Sequence, residues 1–187
     1  MKVLTTRLKG VLIIEPRVFE DNRGFFMETY HQKRYRAEGM NCIFVQDNLS
    51  HSAQGTLRGL HYQLRHPQAK LVQVIKGSIL DVAVDIRCGS PTFGQWTGIH
   101  LSDENRCQLF ITEGFAHGFC VISETADVIY KCTDFYVPDA EGGILWSDPA
   151  LSIDWPILDP LISPKDSQYP CLRDIPDERL PIYESMT

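Results

Sequence analysis

With 187 residues, the chain can bury one sizeable core but would be cramped as two full domains, so one domain over residues 1–187 is expected. Its 43% hydrophobic and 22% charged residues exclude a disordered or fibrous chain, and a formal net charge of −6 with a pI near 5.5 excludes a surface built to neutralise a nucleic acid. No apolar run reaches the ~20 residues that span a bilayer, and "MKVLTTRLKGVLII" lacks a signal peptide's small-residue cleavage pattern, so no membrane is expected and the cytoplasm is the default location.

Period-two alternation begins with "VLIIEPRVF" and is interrupted by one plainly helical stretch, "ETYHQKRYRAEG" (residues 28–39), which Gly39 is placed to stop. Alternation resumes in "CIFVQDNLS" and continues through "TLRGLHYQLRHPQAKLVQV" (residues 56–74). There a strict period of two sets Leu57, Gly59, His61 and Gln63 on one face, with Arg58, Leu60 and Tyr62 on the other. Lys70, Val72 and Val74 open the next strand toward the same cavity. Lys76-Gly77-Ser78 then reads as a hairpin turn into "ILDVAVDI".

Four more strand-like bursts follow: "WTGIHLS", "CQLFIT", "GFCVIS" and "ADVIYKCTDFY". Asp81 and Asp85 share a strand face, and polar partners inside the fold are the expected reason. From Asp154 onward six prolines (Pro156, Pro160, Pro164, Pro170, Pro176 and Pro181) break any long element, which predicts an extended arm with short turns draped over the body. Short strands with Gly, Pro, Asn and Ser punctuation indicate an all-β sandwich or barrel with short peripheral helices. The six cysteines are scattered without a C-x-x-C pair, as buried reduced thiols would be. Cys132 lies near the candidate chemistry but reads as core.

The polar residues inside this pattern carry the chemistry. In "TEGFAHGF" (residues 112–119), Gly114 and Gly118 flank His117 in what reads as a turn, so His117 serves equally well as a ligand contact or as support for turn backbone groups. The spacing Gly-x-x-His resembles half of a cupin motif. The other half is met by Gly55, His61 and Gly77, but Gln63 replaces the second His and Lys70 stands where the acidic metal ligand would be. An ammonium has no lone pair and adds positive charge, so it cannot help to hold a divalent cation. It can instead stabilise negative charge developing on a substrate oxygen.

Together, "EPRVFEDNRGFFMETY", "FVQDNLSHS", "LRGLHYQ", "KLVQVIKGSILDVAVDIRCGSPTFGQW", "EGFAHGF", "VIYKCTDFYVP", "EGGILWSDP" and "SPKD" resemble the dTDP-4-dehydrorhamnose 3,5-epimerases over residues 15 to 166. That resemblance implies a metal-free cupin, a jelly-roll double-stranded β-helix barrel needing no cofactor, and a dTDP-linked 4-keto-6-deoxyhexose as substrate. It implies His61 as base, Asp166 as the acid orienting it, Lys70 as the cation holding an enolate oxygen, and Tyr130 as proton donor from the other face, its ionisation eased by a nearby cation. Arg23 and Arg58 would meet the diphosphate and Glu28, Gln46 and Asn48 the nucleotide, with His117, Tyr136, Glu141 and Lys165 as further pocket positions. A homodimer with exchanged N-terminal strands is also implied. Two rival enzymes remain: an epimerase acting at one carbon only, and a metal-dependent cupin. A third reading is a sugar-nucleotide-binding cupin without catalysis.

Overall fold

The computed structural model describes residues 1–183. Of the domain expected over residues 1–187, residues 184–187 therefore lie outside the described residues. Thirteen strands occur among the described residues: β1 (Lys2–Thr5), β2 (Val11–Glu15), β3 (Val18–Asp21), β4 (Gly24–Met27), β5 (Gln46–Ala53), β6 (Leu57–Gln63), β7 (Lys70–Lys76), β8 (Ser78–Asp85), β9 (Trp96–Ser102), β10 (Gln108–Ile111), β11 (Phe115–Val121), β12 (Thr125–Cys132) and β13 (Glu141–Gly143). The predicted helix is present but short, with α1 covering Gln32–Ala37. Prolines and short 3-10 turns occupy the tail, as the sequence predicts.

Two antiparallel sheets carry the fold, one ordered β1-β2-β10-β7-β12-β5 and the other β13-β6-β11-β8-β9. Their facing sides enclose one apolar core, where Val72, Val74, Leu109 and Val128 of the first sheet meet Ile79, Ala83, Leu101 and Phe119 of the second. Neither sheet closes on itself, so the architecture is a cupin-like jelly-roll sandwich. Most of β8 and β11 is buried on both faces. Leu80, Val82 and Val84 point outward into a second apolar layer that the arm completes with Leu151, Trp155, Leu172, Ile175 and Leu180. Covering that outer face removes it from water, at roughly 25 cal/mol per Å² of apolar surface, and explains why so proline-rich a tail is ordered.

The chain leaves the expected course in three places. Gly77 does take the positive φ, +78°, but β7 and β8 belong to different sheets, so Lys76-Gly77-Ser78 carries the chain from one layer to the other instead of closing a hairpin. His117 sits within β11, not in a turn. The third departure, in β6, shapes the site. β3 and β4 pair only with each other and form a ribbon bearing the exposed Phe19, Phe25 and Phe26.

Candidate active site

Inward-facing positions are apolar through the middle of the sandwich and turn polar at one end. On the first sheet, antiparallel register sets Lys70 opposite Cys132 and Val72 opposite Tyr130. On the second, His117 pairs with His61. Lys70, Cys132, Tyr130, His117 and His61 line one cavity of about 240 Å³ together with Gln63 and Glu141. The base candidate therefore stands on one sheet, with Lys70 and Tyr130 on the other.

A bulge in β6 makes this possible and corrects the expected alternation. Positions Arg58 to His61 of β6 span only His117 to Phe119 of β11, and Gly59, with φ +138°, absorbs the extra residue. Leu57, Leu60 and Tyr62 all enter the arm-side layer. Arg58, which strict alternation assigns to the face away from His61, reaches toward the first sheet, where its Nε donates to Ser52 Oγ at 3.1 Å.

The arm delivers Asp166 behind His61. An ionised carboxylate can only accept, so His61 Nε2–H donates to Asp166 Oδ1 at 2.9 Å, leaving Nδ1 of the neutral ring with the free lone pair. Gly59 N–H donates to Asp166 Oδ2 at 3.2 Å. Burial alone would push this carboxyl up, but the bond and charge of His61, with help from Gly59 and Ser163, hold it below the usual carboxylate range.

Glu141 is a second buried acid. Its Oε2 accepts from Tyr136 Oη at 2.5 Å and Lys165 Nζ at 3.0 Å, and its Oε1 accepts from Tyr169 Oη at 3.1 Å. Burial opposes its ionisation, yet the bonds to Tyr136 and Lys165 and the nearness of His61 keep it below the ordinary value. The bond to Glu141 pushes Tyr136 up to about 12.

Burial dominates the opposite wall. It lowers the Lys70 ammonium from the usual lysine value, against the pull of Cys132, Asp81 and Glu141. For Tyr130, burial raises the phenol; a nearby cation, Arg58, eases ionisation as expected, but burial outweighs it, so Tyr130 stays protonated. His117 Nε2 donates to Asp81 Oδ1 at 2.6 Å, which gives Asp81 the internal partner expected of it. Asp85 likewise pairs inside the fold, with Arg87, Ser90 and Thr92.

Gln63, standing where a cupin has its second His, is a brace. Its amide donates to the carbonyls of His66 and Phe135 and accepts from Val137 N–H at 2.7 Å, fixing the loop that carries Tyr136. No group of three His, Cys, Asp or Glu able to hold a metal converges among the described residues.

Of the remaining predicted positions, Gln46, Asn48 and Tyr136 line the cavity. Gln46 Nε2 donates to Asn48 Oδ1 at 3.0 Å, and Gln46 Oε1 accepts from Tyr136 N–H at 2.9 Å. Lys165 meets the site through Glu141. Arg23 and Glu28 do not reach it: Arg23 tips the β3–β4 ribbon in a pair with Asp21, and Glu28 binds Arg34 at 2.9 Å. Cys132 is buried, yet it lines the cavity and accepts a long contact from Asn48 at 3.6 Å. Sequence reasoning missed Tyr169, whose ring stands edge-on to His61 at 5.8 Å between centroids. Its closeness to Asp166 in the chain was the available signal.

Comparison with known proteins agrees with this geometry. Residues 5–174 match the family model described as dTDP-4-dehydrorhamnose 3,5-epimerase. A dTDP-4-dehydrorhamnose 3,5-epimerase of Shigella flexneri is 55% identical over 168 residues, covering 89% of this chain and 93% of the relative. One of Neisseria gonorrhoeae is 53% identical over 167 residues, covering 89% of this chain, which spans about half (51%) of that longer relative. Among solved structures, the 3,5-epimerase of Legionella pneumophila in complex with dTDP-4-keto-L-rhamnose superposes with a TM-score of 0.96 at 50% identity, covering 98% of this chain and 99% of that one. With the family model matched over most of its length and relatives above half identity, this chain belongs to the dTDP-4-dehydrorhamnose 3,5-epimerase family.

Proposed function

We propose that this protein epimerises dTDP-4-dehydro-6-deoxy-D-glucose at carbons 3 and 5, yielding dTDP-4-dehydro-L-rhamnose, as one domain and without a metal or cofactor. Both carbons flank the ketone at carbon 4, so their protons are acidified by delocalisation into an enolate. In this reading His61 Nδ1 removes such a proton, Asp166 stabilises the resulting imidazolium, and Lys70 holds the enolate oxygen. Tyr130 then gives a proton to the opposite face of the same carbon. A protonated phenol suits that step, and an ammonium already stripped of water needs little reorganisation to meet developing charge.

One observation carries the reading: His61 on β6, backed by Asp166 from the arm, faces Tyr130 and Lys70 on the other sheet across a single cavity. Inversion needs chemistry on two sides of a ring, and two facing sheets provide it. Incubation with the dTDP-4-keto-6-deoxyglucose substrate in heavy water, followed by NMR, tests it. Deuterium at both carbons is the expected result. Label at one carbon alone would establish a narrower epimerase, and binding of dTDP without any label would leave a binding protein.

The cavity residues Gln46, Asn48, His117, Tyr136 and Glu141, with Arg58 and with Lys165 acting through Glu141, are assigned to the sugar and nucleotide. We assign Arg23 and Glu28 to a partner's cavity in a homodimer, a reading supported by their distance from the cavity of their own chain and by the exposed phenylalanines of their ribbon. Mixing Arg23→Ala and His61→Ala chains checks this, because a hybrid dimer with exchanged ribbons regains one complete site. Restored turnover is expected, and none would place Arg23 in cis. Six unpaired thiols support a reducing, cytoplasmic setting, and no helix among the described residues is long and apolar enough to cross a membrane.

A further inference from the structure

Glu141 and Asp166 both approach the same nitrogen. Asp166 Oδ1 lies 2.9 Å from His61 Nε2, and Glu141 Oε1 lies 3.9 Å from it. Two carboxylates competing for one N–H would leave the ring free to settle between them. Tyr169, which follows the turn that carries Asp166, stands at that junction. Its hydroxyl donates to Glu141 Oε1 at 3.1 Å, and its ring leans on the imidazole at an interplanar angle of 67°. The fold makes room for it: a Cβ at Gly143 would sit 2.3–2.5 Å from the Tyr169 ring, so only glycine fits there while the ring is in place. Behind the ring lies a second cavity of about 450 Å³, bounded also by Tyr62, Arg65 and Arg179.

We propose that Tyr169 is a positioning residue for proton abstraction: its ring fixes the plane of the His61 imidazole, and its hydroxyl keeps Glu141 Oε1 off His61 Nε2, leaving Asp166 as the partner of the base. The inference rests on the reading of His61 as base. The titratable and charged groups facing His61 are Asp166 and Tyr169 from the arm, Glu141 from β13, His117 from β11, and Lys70, Tyr130, Cys132 and Tyr136 around the same cavity. Among these, Glu141 is the one that removing the Tyr169 hydroxyl sets free.

The test compares Tyr169→Phe, which keeps the ring and loses the hydroxyl, with the parent. Glu141 is already ionised in the parent; once freed, its Oε1 can close the 3.9 Å gap to His61 Nε2 and favour the protonated base more strongly. The acid limb of the kcat/KM profile should therefore move up by about half a pH unit or more, with dTDP affinity unchanged. In a Glu141→Gln background the same change should leave the limb in place, since no charge remains to be released. Gly143→Ala, which drives the ring from its seat, should reproduce the upward shift independently. An NMR titration of the imidazole reads the same displacement without turnover. A Tyr169→Phe profile superimposed on the parent's overturns the proposal, as does a shift that persists in the Glu141→Gln background. Retained deuterium exchange in His61→Asn would instead overturn the base assignment itself.

Discussion

Replacing Asp166 with asparagine tests the heart of the site, because the structure leaves the amide no good orientation. Asp166 accepts on both oxygens, from His61 Nε2–H at 2.9 Å and from Gly59 N–H at 3.2 Å. With its oxygen toward His61, the amide aims its NH2 at the Gly59 N–H, and the flipped amide aims NH2 at His61. Either way one buried donor faces another. The flipped form also drives His61 to the other tautomer, in which Nδ1 carries the proton and can no longer act as a base. Losing a charge-assisted hydrogen bond costs about 1.5–3 kcal/mol, which corresponds to a roughly ten- to hundredfold fall in kcat/KM. The imidazolium loses its counterion as well, so the acid limb of the profile should move to lower pH while its plateau drops. The assay is deuterium wash-in at carbons 3 and 5 across pH, beside thermal unfolding to confirm the fold. Exchange at the parental rate with an unmoved limb would refute the role given to Asp166.

Lys70→Met should abolish most exchange, by about 10²–10³-fold as for loss of an oxyanion donor. It should also raise the melting temperature, because a methionine takes the place of an ammonium that burial disfavours and that has no ion pair among the described residues. A variant that is both inactive and less stable would contradict that reading. Stability should fall as pH drops through about 4. Asp85, Glu141 and Asp166 ionise more readily folded than unfolded, so their contribution is complete above the unfolded carboxylate range and is lost as they protonate. Melts between pH 7 and 3 check this, and Asp85→Asn should flatten the slope. Gly143→Ala should destabilise the fold by about 1–3 kcal/mol through overpacking against the Tyr169 ring, readable as a lower melting temperature at unchanged dTDP affinity.

The strands and the draped arm were legible in the sequence because they follow from local rules. Alternation marks a face, and proline forbids a long element. His61 and Lys70 were legible too, as polar side chains at positions that alternation sends inward, where they are expensive unless used or paired; Tyr130 came only from the family resemblance, and His117 was read in a turn where the fold has strand β11. Pairing decided the rest. The sequence at Lys76-Gly77-Ser78 asks for a turn but cannot say whether the two strands join one sheet or two, since that depends on which strands meet them from far along the chain. Likewise the bulge at Gly59, which turns Arg58 toward the first sheet, exists only as a mismatch of register with β11. Asp166 and Tyr169 lie more than a hundred residues beyond His61, in an arm without periodicity, and only the burial of that arm against the second sheet brings a carboxylate and a phenol ring to the imidazole.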